Sequence, residues 1–552
     1  MCRSHRIARR VLLAAFFCLN APTLAATIYH VQAGAVGSDG TTWNRAFHDL
    51  QPALDVAQPG DEIWVAAGTY APTLEVIPGF PRSATFQLVD GVAIFGGFAG
   101  DESAREQRNP DPFTNATILS GDLAADDDTV GDAENAHHVV TAINADSAAQ
   151  LDGFTITAAN ADGASSSLAS GGGALVDGGA PTFVNCRFVG NRAAIRGGGM
   201  ANRNGAAPDI RNCAFENNIA DVGGGAMSNT SGSAPTITGC LFQSNWAGGD
   251  GGAVVNANGD PVFTHCRFHG NRADDDGGAV NNDGASPTIL SCIFSGNTAG
   301  DRGGAMASGN DADPVLVQCT FSGNVAATDG GGLYHVLSDP SIHNCILWGN
   351  SDDGGLNFDQ SAQLHVFGGT ATVTYSDVQG WTGAMGGVGN MSLDPEFISN
   401  PGDGGDGWGV GGNDSFGDLR TQTGSPCHDA GDNDVVPIEL TTDLAGVPRF
   451  LDDPTVADSG NPLGLGPIAD LGAYEYEHEP TCEMACGDLD GNGAVNLGDF
   501  SIFAGCYLQD PSLVSGCLCA DMTGDGVINL MDFSRFAAVF GEVSGGIFPP
   551  DC

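Results

Sequence analysis

The feature that most constrains this chain is a cysteine that returns every 26 or 27 residues, at positions 186, 213, 240, 266, 292, 319 and 345. Two residues after each stands Phe188, Phe215, Phe242, Phe268, Phe294 or Phe321, with Leu347 in the last copy. A proline precedes every cysteine: Pro181, Pro208, Pro235, Pro261, Pro287, Pro314 and Pro340. An asparagine closes every unit, at 191, 218, 245, 271, 297, 324 and 350, and Gly-Gly follows most of them, as at Gly251-Gly252 and Gly277-Gly278. Copies registered at so many positions exclude coincidence, and a fixed period of this size marks a stacked, one-dimensional architecture.

The repeat lacks helical periodicity, so each unit reads as one coil of a parallel β-helix. Cys and Phe at i and i+2 share one face of a strand, and both types prefer burial. Stacking coils about 4.8 Å apart turns each position into a ladder of like side chains. Phe then lies on Phe, Cys on Cys, and the asparagines form an amide ladder that satisfies turn backbone. A disulfide needs Cβ atoms about 3.8 Å apart, closer than that coil spacing. The sequence therefore predicts a buried column of free thiols acting as small apolar groups, and not a metal column, which needs convergent ligands.

Charge narrows the partners. There are 19 basic residues against 67 acidic ones, a net −48, and lysine is absent. Such a surface disfavours nucleic acid and anionic membrane and favours cations. The start, "MCRSHRIARR" then "VLLAAFFCL" then "PTLAA", reads as a signal peptide over residues 1–26, cleaved near Ala25 or Ala26. Its apolar run is too short to span a bilayer, and no later segment is long enough. Export permits disulfides.

The motifs "GGAV" (251–254 and 277–280), "GGAM" (303–306), "FHGN", "FSGN" and "FQSN" resemble those of the polymorphic outer-membrane protein family, over roughly 171–350. The resemblance implies a right-handed parallel β-helix that is secreted or displayed at the cell surface. The flanks are similar to those of exported pectate-lyase-like β-helix proteins. "TTWNRAFHDLQPALDVAQPGDEIWVAAGTY" (41–70) predicts a capping helix around 47–57, and an end coil needs such a cover for its open core. "SLDPEF", "GSPCHDAGDN" and "ADLGAYEYE" resemble the closing segment of those proteins. The expected fold is all-β: a right-handed parallel β-helix solenoid over 27–400 with an N-terminal cap, then an irregular closing region over 401–478.

Residues 479–552 form a separate expectation. "CGDLDGNGAVNLGDFSIFAGCY" (486–507) and "CADMTGDGVINLMDFSRFAAVF" (519–540) are copies of one another that match a calcium-loop pattern. The first supplies Asp488, Asp490, Asn492, the Ala494 carbonyl, Asn496 and Asp499; the second supplies Asp521, Thr523, Asp525, the Val527 carbonyl, Asn529 and Asp532. Ca²⁺ takes six to eight oxygens, which alternate residues of a tight loop can wrap around it. Thr523 replaces an acidic or amide ligand, which predicts a weaker second site. Aspartate at position twelve, with a following helix, resembles a type I dockerin module. That implies a small α-helical Ca²⁺-binding domain and a cohesin-like partner. Leu497-Gly498 and Leu530-Met531 stand where cellulosomal dockerins often carry Ser-Thr. Cys482, Cys486, Cys506, Cys517, Cys519 and Cys552 crowd this module and are disulfide candidates of open pairing.

No catalytic constellation is legible, so no catalytic residue is assigned. Lacking lysine, the chain cannot use a lysine base of the kind polysaccharide lyases employ. Five residues after each ladder Asn come Arg196, Gly223, Asp250, Asp276, Arg302 and Asp329. The Asp250, Asp276 and Asp329 column either holds a cation or pairs with the arginines along a solvated edge. His265, Arg267 and His269 read as surface, and His137-His138 lack metal spacing. The favoured reading is a secreted or surface β-helix that binds or scaffolds a polysaccharide or cell-envelope component, attached through its Ca²⁺ module. The alternative is a pectate-lyase-like, polysaccharide-degrading enzyme carrying a dockerin. Fold alone does not decide between them.

Overall fold

Each coil is built from short strands separated by residues that turn the chain sharply. In one coil Thr182–Val184 is followed by Asn185, then Arg187–Val189, Gly190, Arg192–Ala193, a glycine turn, and Met200–Arg203. The residue before each ladder cysteine adopts a left-handed conformation: Asn185, Asn212, Gly239, His265, Ser291, Gln318 and Asn344 have φ between 50° and 66°. Asparagine, histidine and glycine tolerate this region best, which makes Ser291 and Gln318 unusual there.

The computed structural model describes residues 26–477, apart from 38, 128–130, 353–357, 411, 454 and 463–466, together with 497–506, 528 and 533. The chain divides into two compact units, Met1–Tyr476 and Glu477–Cys552. In the first, four parallel sheets run along the coil axis, with 12, 11, 10 and 7 strands. The 12-stranded sheet runs from Ile28–Val31 to Thr372–Thr374 and the 11-stranded sheet from Gly68–Tyr70 to Asp377–Val378. The solenoid has about 11 turns. At its start a helix at Leu50–Val56 lies over the core, with Leu50, Ala53 and Leu54 buried and Asp49 accepting from the Leu50 N–H.

The interior is a set of ladders. Rings 188, 215, 242, 268, 294 and 321 stack at 4.5–5.0 Å with interplanar angles of 2–9° where neighbours in this column meet. Each fully buried ring contributes about 1.5–3 kcal/mol by leaving water. The seven repeat cysteines and Cys427 are free and buried. Along the cysteine column a backbone N–H points at the next sulfur, as from Cys186 to Cys213 at 3.4 Å and from Cys266 to Cys292 at 3.3 Å. Ser376 Oγ ends the column by accepting from Cys345 N at 3.1 Å. Burial pushes the thiols of Cys213, Cys240, Cys292 and Cys345 up, so they stay protonated.

The asparagine ladder satisfies all its rungs. Asn271 Oδ1 accepts from the backbone N–H and the side-chain amide of Asn245 at 3.1 and 2.9 Å. Its own Nδ2 donates to Phe242 O and to Asn297 Oδ1, both at 2.9 Å. Gln363, on the short helix Gln360–Gln363, closes the column by accepting twice from Asn350. A second amide ladder runs through Asn202, Asn229, Asn256 and Asn282 to Ser308, with bonds of 2.8–3.1 Å.

The chain then returns over the solenoid flank. An antiparallel pair, Phe397–Ser399 with Asp418–Thr421, begins this closing region. Thr442 O meets His265 Nε2 at 3.0 Å, Arg449 Nη2 donates to Ser291 Oγ at 2.7 Å, Gln318 Nε2 donates to Asp470 O at 3.4 Å, and Asn344 Nδ2 donates to Asp432 O at 3.0 Å. The strap thus bonds the left-handed corner of successive coils. His265, Arg267 and His269 are consequently not a solvent surface, contrary to the sequence expectation. Arg267 Nη2 donates to Leu444 O at 3.4 Å, and His269 stacks on Phe416 at 4.9 Å. A strand's outward face reads as polar in sequence whether water or a later segment covers it.

Candidate functional site

The acidic column lies at the corner that follows the seven-stranded sheet. Asp276 N donates to Asp250 Oδ1 at 3.3 Å, and Arg302 N donates to Asp276 Oδ1 at 3.0 Å. Carboxyl oxygens of Asp250, Asp275 and Asp276 lie within 4.8 Å of one another. Burial pushes Asp276 up to about 6, opposed by the Arg302 amide and reinforced by Asp275, Asp301 and Asp250. Burial likewise raises Asp250. Asp329 is not part of this group. Arg302 stands beside it, with Nε 3.9 Å from the Asp329 carboxylate, and His365 Nδ1 approaches from the far side at 3.4 Å. The Arg302 guanidinium also lies over the Tyr334 ring at 5.3 Å. Column counting finds Asp250 and Asp276 but not Asp275, whose signal is the run Asp274-Asp275-Asp276 in one coil.

A groove starts a few residues earlier on the same coils. The seven-stranded sheet turns its alanines (Ala247, Ala273, Ala299) inward and Trp246, Arg272, Thr298 and Val325 outward. Asp274 binds two of these, accepting from Trp246 Nε1 at 3.1 Å and from Arg272 Nη2 at 2.9 Å. The closing region supplies the opposite wall. Trp408 lies against the glycine corners, and a Cβ at Gly296 would sit 2.6 Å from its ring, so that corner must be glycine. Phe416 stacks parallel to Trp408 at 5.8 Å, and a Cβ at Gly270 would meet it at 2.9 Å. On one side of Trp408 a cleft of about 380 Å³ is lined by Arg272, Asp274, Thr298 and Gly300. On the other, one of about 510 Å³ is lined by Val325, Ser351, Phe358, Pro401 and Asp403. The arrangement offers an aromatic wall with charged and hydroxyl groups along an open trough, a combination suited to a long polar ligand with apolar ring faces.

Of the remaining sequence candidates, the loop residues Asp488, Asp490, Asn492, Ala494, Asn496, Asp521, Thr523, Asp525, Val527, Asn529 and Asp532 lie outside the described residues. So do Cys482, Cys486, Cys517, Cys519 and Cys552, and residues 1–25. Asp499 and Cys506 stand on the helix Leu497–Cys506. The ring of Phe503 on that helix lies 5.9 Å from Phe533 of the second copy. His137 and His138 are buried, and the Asn160 and Gly171 carbonyls hold their Nδ1 atoms at 3.2 and 2.8 Å. No helix among the described residues is long and apolar enough to cross a membrane.

Comparison with known proteins agrees with this backbone. The family model for the right-handed β-helix region matches residues 139–302. The core of this chain is a parallel β-solenoid, similar over those residues to the right-handed β-helix. The Chlamydia polymorphic membrane protein repeat matches residues 318–335. Among solved structures, a pectate lyase, Pel9A, aligns at 14% identity over 82% of this chain and 97% of its own, with a TM-score of 0.44. A rhamnogalacturonan lyase aligns at 13% identity over 68% of this chain and 91% of its own, with a TM-score of 0.35. No curated protein matches the chain.

Proposed function

We propose that the chain is an exported or cell-surface β-helix protein that binds polysaccharide in the groove between the seven-stranded sheet and the closing region. The observation that carries this is Trp408, a half-buried indole held against glycine corners with clefts of about 380 and 510 Å³ on either side. Sugar rings present apolar C–H faces that lie on such an indole, while Arg272, Asp274 and Thr298 offer partners for hydroxyls. Successive coils repeat at about 4.8 Å, so an extended chain of rings can follow the outward column. The net charge of −48 opposes an anionic glycan, which makes a neutral polysaccharide, or an acidic one bridged by a cation at Asp250, Asp275 and Asp276, the ligand that fits. In the same proposal the duplicated loop–helix at 479–552 binds Ca²⁺ and attaches the protein to a cohesin-like or cell-envelope partner.

The test is retention of the full-length protein on a panel of plant and algal polysaccharides, with and without Ca²⁺. Trp408→Ala should weaken binding to the retained glycan about tenfold or more, equivalent to about 1.4 kcal/mol, with the coil fold retained by circular dichroism. Equal retention by wild type and variant overturns the groove assignment. A second reading, polysaccharide cleavage, draws on Asp276: a carboxyl raised to about 6 exchanges protons near neutral pH. It requires new reducing ends or unsaturated products in the same panel, lost in Asp276→Asn.

A further inference from the structure

The closing region contains a second group of carboxylates, separate from the coil corner. Asp429 sits at a left-handed turn with φ 48°, fully buried at 0% exposure. Its N–H donates to Asp470 Oδ1 at 2.8 Å, and its carbonyl accepts from Ser459 and Gly460 at 2.9 and 3.0 Å. Its Oδ2 accepts from the Asp453 N–H at 3.0 Å. Oδ1 alone is buried with no hydrogen-bond partner. A buried carboxylate oxygen without a donor is a costly arrangement that native structures rarely leave unanswered.

What faces Asp429 is more negative charge. Oxygens of Asp452, which is exposed, and Asp458, which is half-buried, lie within 4.8 Å of one Asp429 oxygen and of each other. The basic groups of this region are engaged elsewhere: Arg449 with Glu475, His428 with Asp453, and Arg420 with Asp418. Three like-charged groups at this spacing repel unless a proton or cation intervenes.

We propose that Asp429, Asp452 and Asp458 form a Ca²⁺ site that fastens the closing region. The donors are all oxygens, which suits a hard cation, and Ca–O bonds of about 2.3–2.6 Å place two oxygens of one ion no more than about 5 Å apart. Zinc prefers nitrogen and sulfur donors, and Mg²⁺ demands a tighter octahedron at about 2.1 Å. The exposed Asp452 leaves an entry path, and water completes the shell on that side. The ion ties the turn at 429 to Asp452 and Asp458, the latter next to the Ser459 and Gly460 N–H groups that the Asp429 carbonyl already holds. Asp470, which accepts from the Asp429 N–H, is in turn bonded through its carbonyl to Gln318 of the solenoid. Bound calcium therefore tightens the strap on the coils. The site is independent of glycan binding, and its readout contains no glycan.

The experiment uses the full-length protein, stripped with a chelator and titrated with CaCl₂ alone. Asp452→Asn with Asp458→Asn changes only groups that reach solvent, so the fold is retained and checked by circular dichroism. Equilibrium dialysis should show one Ca²⁺ fewer per chain in the double variant than in wild type. Hydrogen exchange should show calcium slowing the amides of 429–431 and 455–460 about tenfold or more in wild type, and not in the variant. Equal stoichiometry in the two proteins overturns the proposal. So does wild-type exchange in these segments that calcium leaves unchanged.

Discussion

The coil interior and the closing region bury polar groups by opposite means. In the coils the buried polar side chains are mostly amides and thiols, and each rung satisfies the next copy of itself. In the closing region they are ionisable and occur once: Arg449 with Glu475 at 3.0 Å, His428 with Asp453 at 2.8 Å, and Asp429. The reason is the coil spacing. An amide carries donor and acceptor and can bond to its own image, whereas like charges at about 4.8 Å repel by about 3.5 kcal/mol at an effective dielectric constant of 20. A charge can be buried here only where the sequence stops repeating. The stacked pair Asp250 and Asp276 is the exception inside the repeats, and it is also where burial raises carboxyl values.

The sharpest way to break this comparison is Arg449→Met. Glu475 is then buried without its cation, at a cost of about 3–5 kcal/mol, and the closing region should lose hydrogen-exchange protection while the coils keep theirs. Adding Glu475→Gln should restore part of the loss, since it removes the stranded charge and keeps an acceptor for the Phe450 and Leu451 N–H groups. Uniform loss of protection in the single variant would mean that strap and coils are one cooperative unit.

Next in size is Asn271→Leu, placed in mid-ladder. It orphans the Asn245 N–H and the Phe242 carbonyl, each worth about 1–3 kcal/mol when buried and unpaired. A drop of about 2 kcal/mol or more in chemical denaturation is expected. A cost under about 0.5 kcal/mol would mean that the ladder is incidental to stability.

A third test separates the two regions by pH. Burial lowers His335 to about 3 and His138 to about 4. Their contribution is fully present above the ordinary histidine value and is lost as pH falls from about 6.5 towards those values. At the junction with the closing region, burial raises Asp377 to about 7, where Cys427 Sγ and Leu393 N donate to its carboxyl. A raised acid acts in the other sense: its contribution is present below about 4 and is lost as pH rises through about 7. Asp377→Asn, which imitates the protonated acid, should therefore raise the melting temperature at pH 8 and leave it unchanged at pH 4. His335→Asn should flatten the acid limb. Equal effects of Asp377→Asn at both pH values would refute the assignment.

What the sequence discloses follows the same division. The Cys, Phe and Asn ladders are legible because a period multiplies a weak preference into a register. The second amide column obeys the period too: Asn202, Asn229, Asn256, Asn282, Ser308 and His335 each stand two residues past Met200, Met227, Val254, Val280, Met306 and Leu333. It is harder to see because its identities drift at the end. Nothing periodic announces that Trp408 leans on Gly296, that Phe416 covers His269, or that Arg449 reaches Ser291. These are single events between distant segments, fixed by packing alone. Asp275 shows in the sequence only as part of the run Asp274-Asp275-Asp276, since it belongs to a neighbouring column that meets Asp250 only in three dimensions.

The path of the strap decides how tension travels through the molecule. A solenoid held only by neighbour contacts peels from its last coil inward, one rung after another. Here the last coil ends near Val378, but the chain leaves the stack further back. The Ala473 N–H bonds Thr320 Oγ1 at 3.0 Å, and the Ala473 carbonyl bonds Ser291 Oγ at 3.1 Å. A pull transmitted from anything joined after Tyr476 enters the coil stack at those rungs, with intact coils stacked on both sides of them. The terminal coils hang slack beyond the point of loading, so the solenoid meets the force across several rungs at once and not at a fraying edge.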